Sequence, residues 1–308
     1  MGPVEPGRRT AVRPAGQWGT ARQLALSAAT TLLAVAALPG CGNESRSSDA
    51  PAAVFTQPGG PGRHIHGVLP QGPNVLVATH DGLWEAKPGD SRARRVGESR
   101  PDIMGMAAAA PQRLVGSGHP PLDEDLPPLL GLVESRDGGR SWDSVSLLGR
   151  ADFHALTASD DRVYGFDETG GAFLMSVDGG RRWSRRSSPG PGIVSLAVAP
   201  TDPDMVLATT ERGLKKSTDA ARTWAATGSE RPLMITWPSA HRLFSVAADG
   251  ATRRSGDAGR TWRGAGGVSG MPVALAADDA RLVVALADGR VMQSRDDGST
   301  WVPLVTLR

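Results

Sequence analysis

An eight-residue motif with the pattern S-x-D-x-x-x-x-W occurs five times in the chain, and its regular spacing limits the folds open to this sequence. The five octets are SRDGGRSW from Ser135, SVDGGRRW from Ser176, STDAARTW from Ser217, SGDAGRTW from Ser255 and SRDDGSTW from Ser294. Successive serines are 41, 41, 38 and 39 residues apart. A period of this length is typical of architectures in which each repeat is one supersecondary unit.

Each repeat contains four short β-rich runs separated by Gly, Asp and Pro turns. The fourth repeat, for example, has the runs IVSLAVAP, DMVLATT and GLKKS, followed by the residues after Trp224. Four short antiparallel strands per repeat predict an all-β fold, a single β-propeller over residues 63–308. The six predicted blades begin near His64, Asp102, Asp152, Gly192, Pro232 and Met271. Seven blades are the alternative, if the preceding residues supply or hide a degenerate unit.

Residues 1–40 have the features of an export signal: scattered arginines, and then an apolar run from Leu24 to Leu38. The run ends in LPGC, which resembles a bacterial lipobox, and Cys41 is the only cysteine of the chain. Residues 41–62 are rich in Ser, Pro and Gly and predict a flexible tether. We therefore expect a lipid on Cys41 that anchors an extracytoplasmic protein to the bacterial cell envelope. An ordinary cleaved signal is the alternative.

The charge of the chain gives no support to nucleic-acid binding. Four of the 34 basic residues and one of the 32 acidic residues lie in the first forty positions, which leaves 30 basic against 31 acidic residues. The remaining body is nearly neutral and has no run of Lys and Arg interleaved with aromatic residues. We therefore expect no nucleic-acid partner.

The octets themselves predict a structural role. Asp178 follows Ser176 by two residues at the predicted end of a third strand, where a carboxylate can accept backbone N–H groups of the turn. Two glycines then permit positive φ, and Trp183 supplies a large apolar side chain. The octet at Ser217 has alanines in place of both glycines, so its turn is either less demanding or strained. The predicted structural residues are Asp137, Trp142, Asp178, Trp183, Asp219, Trp224, Asp257, Trp262, Asp296 and Trp301. We expect these tryptophan rings to be largely buried.

The octets resemble the Asp-box, or BNR repeat, of sialidases, sortilin-type receptors and related β-propellers. The best overall likeness is to the sialidase-like, glycosyl-hydrolase-like Asp-box lipoproteins of bacteria, and it covers residues 63–308. Sialidases use an arginine triad and a tyrosine nucleophile near a glutamate. The only tyrosine here, Tyr164, lies inside a predicted strand, and no RIP-like segment precedes the octets. The resemblance therefore implies the scaffold, whereas the sialidase site does not carry over.

Strand direction places a functional site opposite the octets. In an antiparallel blade, the first strand begins and the second strand ends at the face opposite the hairpin between the third and fourth strands. We call this the upper face, and the face that carries the octets the lower face. Five of the six histidines fall on the predicted upper face of the first three blades. The predicted ligand-binding residues are His64, His66, His80, His119, His154 and Asp167.

Imidazoles beside a carboxylate suit a first-row transition metal. The candidate metal ligands are His66, His80, His119 and His154, with zinc or copper as the candidate ion. Met104 and Met106 would favour copper if their sulfur atoms face the histidines. A hydrogen-bonded polar cluster that binds a sugar, or only lines the channel mouth, is the alternative, and the sequence requires no cofactor.

A glycoside hydrolase would need two carboxylates on the upper face. The loop of the second blade offers Asp123, Glu124 and Asp125, and the third blade offers Asp167 and Glu168. A solvated acidic loop is the alternative interpretation. Three functions therefore remain: a cell-envelope binding or assembly module with a carbohydrate or envelope protein as its partner, a glycosidase, and a metal-binding lipoprotein.

Overall fold

The computed structural model describes residues 64–307, and these form six four-stranded antiparallel sheets. The strands of blade 1 are β1 (Ile65–Gln71), β2 (Asn74–Thr79), β3 (Gly82–Ala86) and β4 (Arg94–Arg95). Those of blade 2 are β5 (Asp102–Ala110), β6 (Arg113–His119), β7 (Leu132–Ser135) and β8 (Asp143–Ser146). Those of blade 3 are β9 (Phe153–Ser159), β10 (Arg162–Asp167), β11 (Ala172–Ser176) and β12 (Ser184–Arg186).

The remaining three blades repeat the same order. Blade 4 contains β13 (Ser195–Ala199), β14 (Asp202–Thr210), β15 (Gly213–Ser217) and β16 (Ala225–Ala226). Blade 5 contains β17 (Met234–Ser239), β18 (Arg242–Val246), β19 (Ala251–Ser255) and β20 (Arg263–Gly267). Blade 6 contains β21 (Pro272–Ala277), β22 (Leu282–Leu286), β23 (Arg290–Ser294) and β24 (Val302–Thr306).

The prediction of a six-bladed propeller is confirmed, and the first strands begin at or within a few residues of the predicted blade starts. The described residues form six blades and not the alternative of seven. None of these residues belongs to a helix that could cross a membrane. The predicted export signal, Cys41 and the tether lie outside the described residues.

Apolar side chains of each blade pack against both neighbouring blades, so the core consists of six wedges rather than one centre. In β2, Val75 and Val77 contact the wedge shared with blade 6, whereas Leu76 and Ala78 contact the wedge shared with blade 2. Successive side chains of a strand point to opposite faces of its sheet. Because both faces are buried, the inner strands are continuous apolar runs.

The ring closes between blades 1 and 6 by packing, because every described sheet consists of four consecutive strands. Arg281, at the gap before β22, is 3% exposed and donates hydrogen bonds to the carbonyl oxygens of Gly72 (2.8 Å) and Asn74 (2.7 Å) in blade 1. This arginine satisfies two backbone acceptors across the closing junction.

Arginines beside or at the start of the second strand join other neighbouring blades in a similar way. Arg113 donates to the carbonyl oxygens of Asp160 (3.2 Å) and Gly179 (2.7 Å) in blade 3. The guanidinium groups of Arg162 and Arg242 likewise contact the blade that follows their own. Charged donors therefore reinforce four of the six apolar wedges near the lower face.

The octets form tight turns on the lower face, and their carboxylates accept hydrogen bonds within the turn. In the fifth blade, Asp257 Oδ1 accepts the backbone N–H groups of Arg260 (3.1 Å) and Thr261 (2.8 Å), and Oδ2 accepts the hydroxyl of Thr261 (2.6 Å). Ser255 Oγ donates to Oδ1 (2.8 Å) and accepts the N–H of Gly259 (3.0 Å). The same pattern recurs, with small variations, in the other four octets.

The turn of the blade 4 octet is strained at its two alanines. Ala220 and Ala221 have φ values of 58° and 61°, in the left-handed region that disfavours residues with a Cβ atom. Ala221 N–H nevertheless donates to Ser217 Oγ (2.9 Å), as the glycine at this position does in the other octets. The hydrogen bonds of the octet therefore impose one turn geometry whether or not glycine is present.

The octet tryptophans are partly buried rather than completely buried. Each packs against an apolar wedge between two blades. Trp183, for example, stacks on Phe153 with ring centroids 4.9 Å apart, and its Nε1–H donates to Ser146 Oγ (3.0 Å). The rings thus cover the lower edges of the wedges.

Replacing Arg281 with Met should destabilise the ring at its closing junction. Hydrogen bonds from charged donors contribute about 1.5 to 3 kcal/mol each, so we expect the free energy of unfolding to fall by about 3 kcal/mol in urea titrations. Arg253→Met is the matched control, because Arg253 makes a partly exposed 3.3 Å ion pair with Glu230, and the free energy of unfolding should fall by less than about 1 kcal/mol. Equal losses in the two variants would contradict the role of Arg281.

Replacing Thr261 with Val should make stability less dependent on pH in acid. Hydrogen bonds from the Thr261 hydroxyl and N–H lower the pKa of Asp257 from 3.8 to about 2. A lowered pKa in the folded state stabilises the protein above about pH 4, and this stabilisation is lost as the pH falls through about 2. Without the hydroxyl, the pKa of Asp257 should rise, and the stability deficit of the variant should shrink from pH 5 to pH 2.

Carboxyl NMR titration and urea unfolding at each pH measure both effects. The reciprocal control is Arg182→Thr, because position 182 of the blade 3 octet lacks the hydroxyl that Thr261 provides, and it should lower the pKa of Asp178 further. If the difference in free energy of unfolding between the parent and Thr261→Val stays constant with pH, this explanation is wrong.

Candidate functional site

The first strands of the six blades surround a channel with a cavity volume of 330 Å³. Their directions are fixed by the strand pairing, in which the start of each first strand pairs with the end of the second, for example Asp102 with His119. The octets follow the third strands at the opposite end, since Ser135 pairs with Leu114 near the start of β6. Six side chains near the upper end of the channel are His66, Met104, His154, Val194, Met234 and Val273.

Three imidazoles surround the carboxylate of Asp102 at this end. His80 Nδ1 lies 2.7 Å from Asp102 Oδ2, at hydrogen-bonding distance. His66 Nε2 lies 3.4 Å from Asp102 Oδ1, and His119 Nδ1 lies 3.5 Å from Oδ2. The rings of His66 and His80 meet edge to face with centroids 4.2 Å apart. Blades 1 and 2 therefore contribute jointly to one polar cluster.

A second carboxylate, Asp152 of blade 3, continues the cluster. His154 Nε2 lies 2.8 Å from Asp152 Oδ2, and His119 Nε2 lies 3.5 Å from the same oxygen. Because its two ring nitrogens face different carboxylates, His119 connects the Asp102 group to the Asp152 group. We call the set of His66, His80, His119, His154, Asp102 and Asp152 the mouth cluster.

Two glycines allow the backbones of the mouth cluster to approach. A Cβ atom on Gly118, which has φ of 147°, would collide with the carbonyl oxygen of Asp102. A Cβ atom on Gly105 would collide with the carbonyl oxygen of Phe153 in the next blade. Glycine at these positions therefore lets β6 bring His119 beside Asp102, and lets β5 lie against β9 near His154.

The burial of the mouth cluster is uneven, and several of its polar atoms lack hydrogen bonds. The side chain of His66 is 11% exposed and that of His80 is 50% exposed. Among the described residues, His66 Nε2, Asp102 Oδ1 and Asp152 Oδ1 are buried without a hydrogen-bond partner. Buried polar atoms are usually hydrogen-bonded to protein or to ordered water, so these three atoms can accept a further partner.

The surroundings in the mouth cluster shift the pKa values of two histidines in opposite directions. Burial lowers the pKa of His66 from 6.5 to about 4, with neighbouring imidazoles acting in the same direction and Asp102 opposing them. Burial also disfavours the charged form of His154, but the hydrogen bond and charge of Asp152, with Glu168 and Asp102, raise its pKa above 6.5. At neutral pH, His66 is therefore a neutral imidazole with a lone pair to offer.

The other predicted ligand-binding residues lie beside the mouth cluster. The ring of His64 is 5.1 Å from that of His80. Asp167 is 5% exposed, and its carboxylate accepts the N–H groups of Asp152 (3.0 Å) and Gly170 (3.1 Å). The oxygens of Asp167 thus hold the backbone that carries Asp152.

The acidic candidates for glycoside hydrolysis have different surroundings. Burial and the charges of Asp152 and Asp167 raise the pKa of Glu168, against the opposing effect of His154. Asp123 and Glu124 are exposed in the loop between β6 and β7, where Glu124 accepts a hydrogen bond from Ser99 (3.0 Å). The catalytic role of these loop residues and of Glu168 stays a prediction.

Asp102 and Asp152 are the members of the mouth cluster that sequence reasoning missed as site residues. Both were identified only as blade starts, although each precedes by two residues a first-strand residue that lines the channel, Met104 and His154 respectively. The corresponding residues of blades 4 to 6 are Gly192, Pro232 and Met271. The signal was therefore an acid at this repeat position only in blades that also carry histidines.

No protein-family model matches the sequence, and no curated protein sequence matches it either. Among solved structures, a GH74 enzyme from Niastella koreensis has a TM-score of 0.57 at 15% identity, over 79% of this chain and 45% of its own. A gluconolactonase from Xanthomonas campestris has a TM-score of 0.57 at 13% identity, over 73% and 83% respectively. PorZ, a surface component of the type-IX secretion system of Porphyromonas gingivalis, has a TM-score of 0.50 at 14% identity, over 78% and 33%.

These likenesses concern the scaffold. The chain spans 45% of the length of each of two GH74 enzymes it resembles, the second being a xyloglucanase from Xanthomonas campestris. At such low identities a shared fold does not transfer an activity. The comparisons and the strand topology together identify this chain as a β-propeller of four-stranded antiparallel blades.

Proposed function

We propose that this chain is a lipid-anchored binding module of the bacterial cell envelope, an Asp-box propeller whose ligand site is the mouth cluster. The observation that carries the proposal is the convergence of four histidines on Asp102 and Asp152 at one open end of the channel. Proteins commonly place binding groups where several elements of a rigid scaffold converge.

Hydrogen bonding distinguishes the upper face from the lower one. The octet carboxylates of the lower face are occupied by turn N–H groups and hydroxyls, as with Asp257 and Thr261. In the mouth cluster, buried atoms of His66, Asp102 and Asp152 lack such partners. A ligand that brings polar atoms would satisfy them, which favours the upper face as the site of binding.

The partner we propose is a carbohydrate or a protein of the envelope. The upper face also carries Leu122, which is fully exposed, in the loop that follows His119. An apolar side chain on the same face as polar imidazoles suits a partner with both apolar and hydrogen-bonding groups. PorZ, which shares the fold, is a bacterial surface component, and this is the setting proposed here.

Replacing Cys41 with Ser should move the protein from the membrane fraction to the soluble extracytoplasmic fraction. The reason is that the thiol of the only cysteine carries the lipid in this proposal. Cell fractionation and immunoblotting measure the distribution, and Ser45→Ala in the proposed tether is the control that should stay with the membrane. An exported Cys41→Ser variant that remains membrane-bound would show that the anchor lies elsewhere.

A photoreactive amino acid at position 122 should capture the partner in the producing bacterium. Position 177 is the matched control, because Val177 is 62% exposed but belongs to a lower-face octet. We expect adducts of defined mass from position 122 and none from position 177, as seen by immunoblotting, glycan staining and mass spectrometry. Adducts confined to position 177, or none at either position, would contradict binding through the upper face.

A further inference from the structure

Three donor groups of the mouth cluster have the spacing of a metal-ligand set. One donor atom each from His66, His80 and Asp102 lies within 4.8 Å of the other two. Ligand atoms around a tetrahedral ion with bonds of about 2.0 to 2.1 Å are about 3.3 Å apart. The 3.4 Å between His66 Nε2 and Asp102 Oδ1 already matches this separation.

Small movements would complete the arrangement. The 2.7 Å between His80 Nδ1 and Asp102 Oδ2 is a hydrogen bond, which would open by about 0.6 Å when an ion replaces the shared proton. The side chain of His80 is half exposed, so its ring is free to adjust. His66 and Asp102 are held by the strands that begin blades 1 and 2, and they require little movement.

Two of the atoms of the mouth cluster that lack a hydrogen bond would bind the ion. His66 Nε2 and Asp102 Oδ1 are both buried, and neither makes a hydrogen bond although they face each other. Leaving a buried donor or acceptor unpaired is unfavourable by about 1 to 3 kcal/mol, and metal coordination would remove this penalty.

His119 fits the role of a neighbouring histidine that is fixed by a carboxylate. Its Nδ1 faces Asp102 Oδ2 at 3.5 Å, and its Nε2 faces Asp152 Oδ2 at 3.5 Å. Histidines at metal sites usually donate their second ring N–H to a carboxylate, which sets the tautomer and the orientation of the ring. His119 can therefore contribute a fourth ligand, or support one, from the solvent side.

We infer that His66, His80 and Asp102 bind one divalent first-row transition metal ion, for which zinc is the best fit. This inference rests on the proposed function, since the ion would lie in the same site and offer an open coordination position to the ligand. Two imidazole nitrogens and a carboxylate suit zinc, whereas calcium and magnesium prefer all-oxygen sites. Met106 packs in the apolar wedge between blades 1 and 2, whereas Met104 lines the upper end of the channel.

The test is a zinc titration of the full chain carrying Cys41→Ser and no polyhistidine tag, so that no thiol or tag binds the ion. After chelator treatment and dialysis, competition with a chromophoric chelator should give one tight zinc per chain, and elemental analysis should give the same stoichiometry. His80→Ala, whose side chain is half exposed, should weaken zinc binding by more than about 100-fold. Asp102→Asn should do the same, and His119→Ala should weaken binding by about 10- to 100-fold.

His241→Ala is the matched control, because His241 lies beside Gly256 of a lower-face octet, and it should bind zinc like the parent. Circular dichroism and urea unfolding of each metal-free variant verify that it is folded. The cobalt-substituted parent should show the strong visible bands of a tetrahedral site, and His80→Ala should lose them. No stoichiometric zinc in the parent, or equal affinities for His80→Ala and His241→Ala, would overturn the inference.

The metal inference and the proposed function fail separately. Adducts at position 122 with no zinc binding would leave a binding module without a metal. Tight zinc binding with no adducts at position 122 would leave a metal site and reject the envelope partner.

Discussion

The packing of each blade against both of its neighbours is the interaction on which the rest of this structure depends. Each sheet buries two faces, so no blade has a core of its own, and the wedge between blades 1 and 6 forms only when the ring closes. The ring closes without a shared strand among the described residues. Arg281 stabilises this closure, because it donates hydrogen bonds to blade 1 carbonyl oxygens at the junction that makes the ring continuous.

The same packing creates the channel and its mouth. First strands from neighbouring blades lie close enough that Gly105 contacts the backbone of blade 3, which brings Asp102 and His119 near Asp152 and His154. A polar cluster assembled from three blades has positions fixed by the wedges beneath it. Rigid support of this kind keeps buried polar atoms in place without hydrogen bonds of their own, which is the preorganisation that our proposed ligand site requires.

The carboxylates on the two faces of the propeller have different kinds of hydrogen-bond partner. On the lower face, every octet carboxylate is matched by local N–H groups and hydroxyls, and even Ala220 and Ala221 accept a left-handed backbone to preserve this pattern. On the upper face, the carboxylate of Asp102 faces His80 of blade 1, and that of Asp152 faces His154 of its own blade and His119 of blade 2. Groups satisfied within their own turn stabilise the fold, whereas the groups that neighbouring blades bring together form the ligand site that we propose.

The sequence by itself determined the propeller and the face on which five of the six histidines lie, and it left six or seven as the number of blades. These features follow from local patterns: the octet period, the apolar strands, and the alternation of strand direction within a blade. Only the tertiary structure decided that Asp102 and Asp152 are the centres of the mouth cluster and that arginines join the blades. These contacts depend on the rotation between successive blades and on ring closure, and no local pattern encodes which side chains such a rotation brings together.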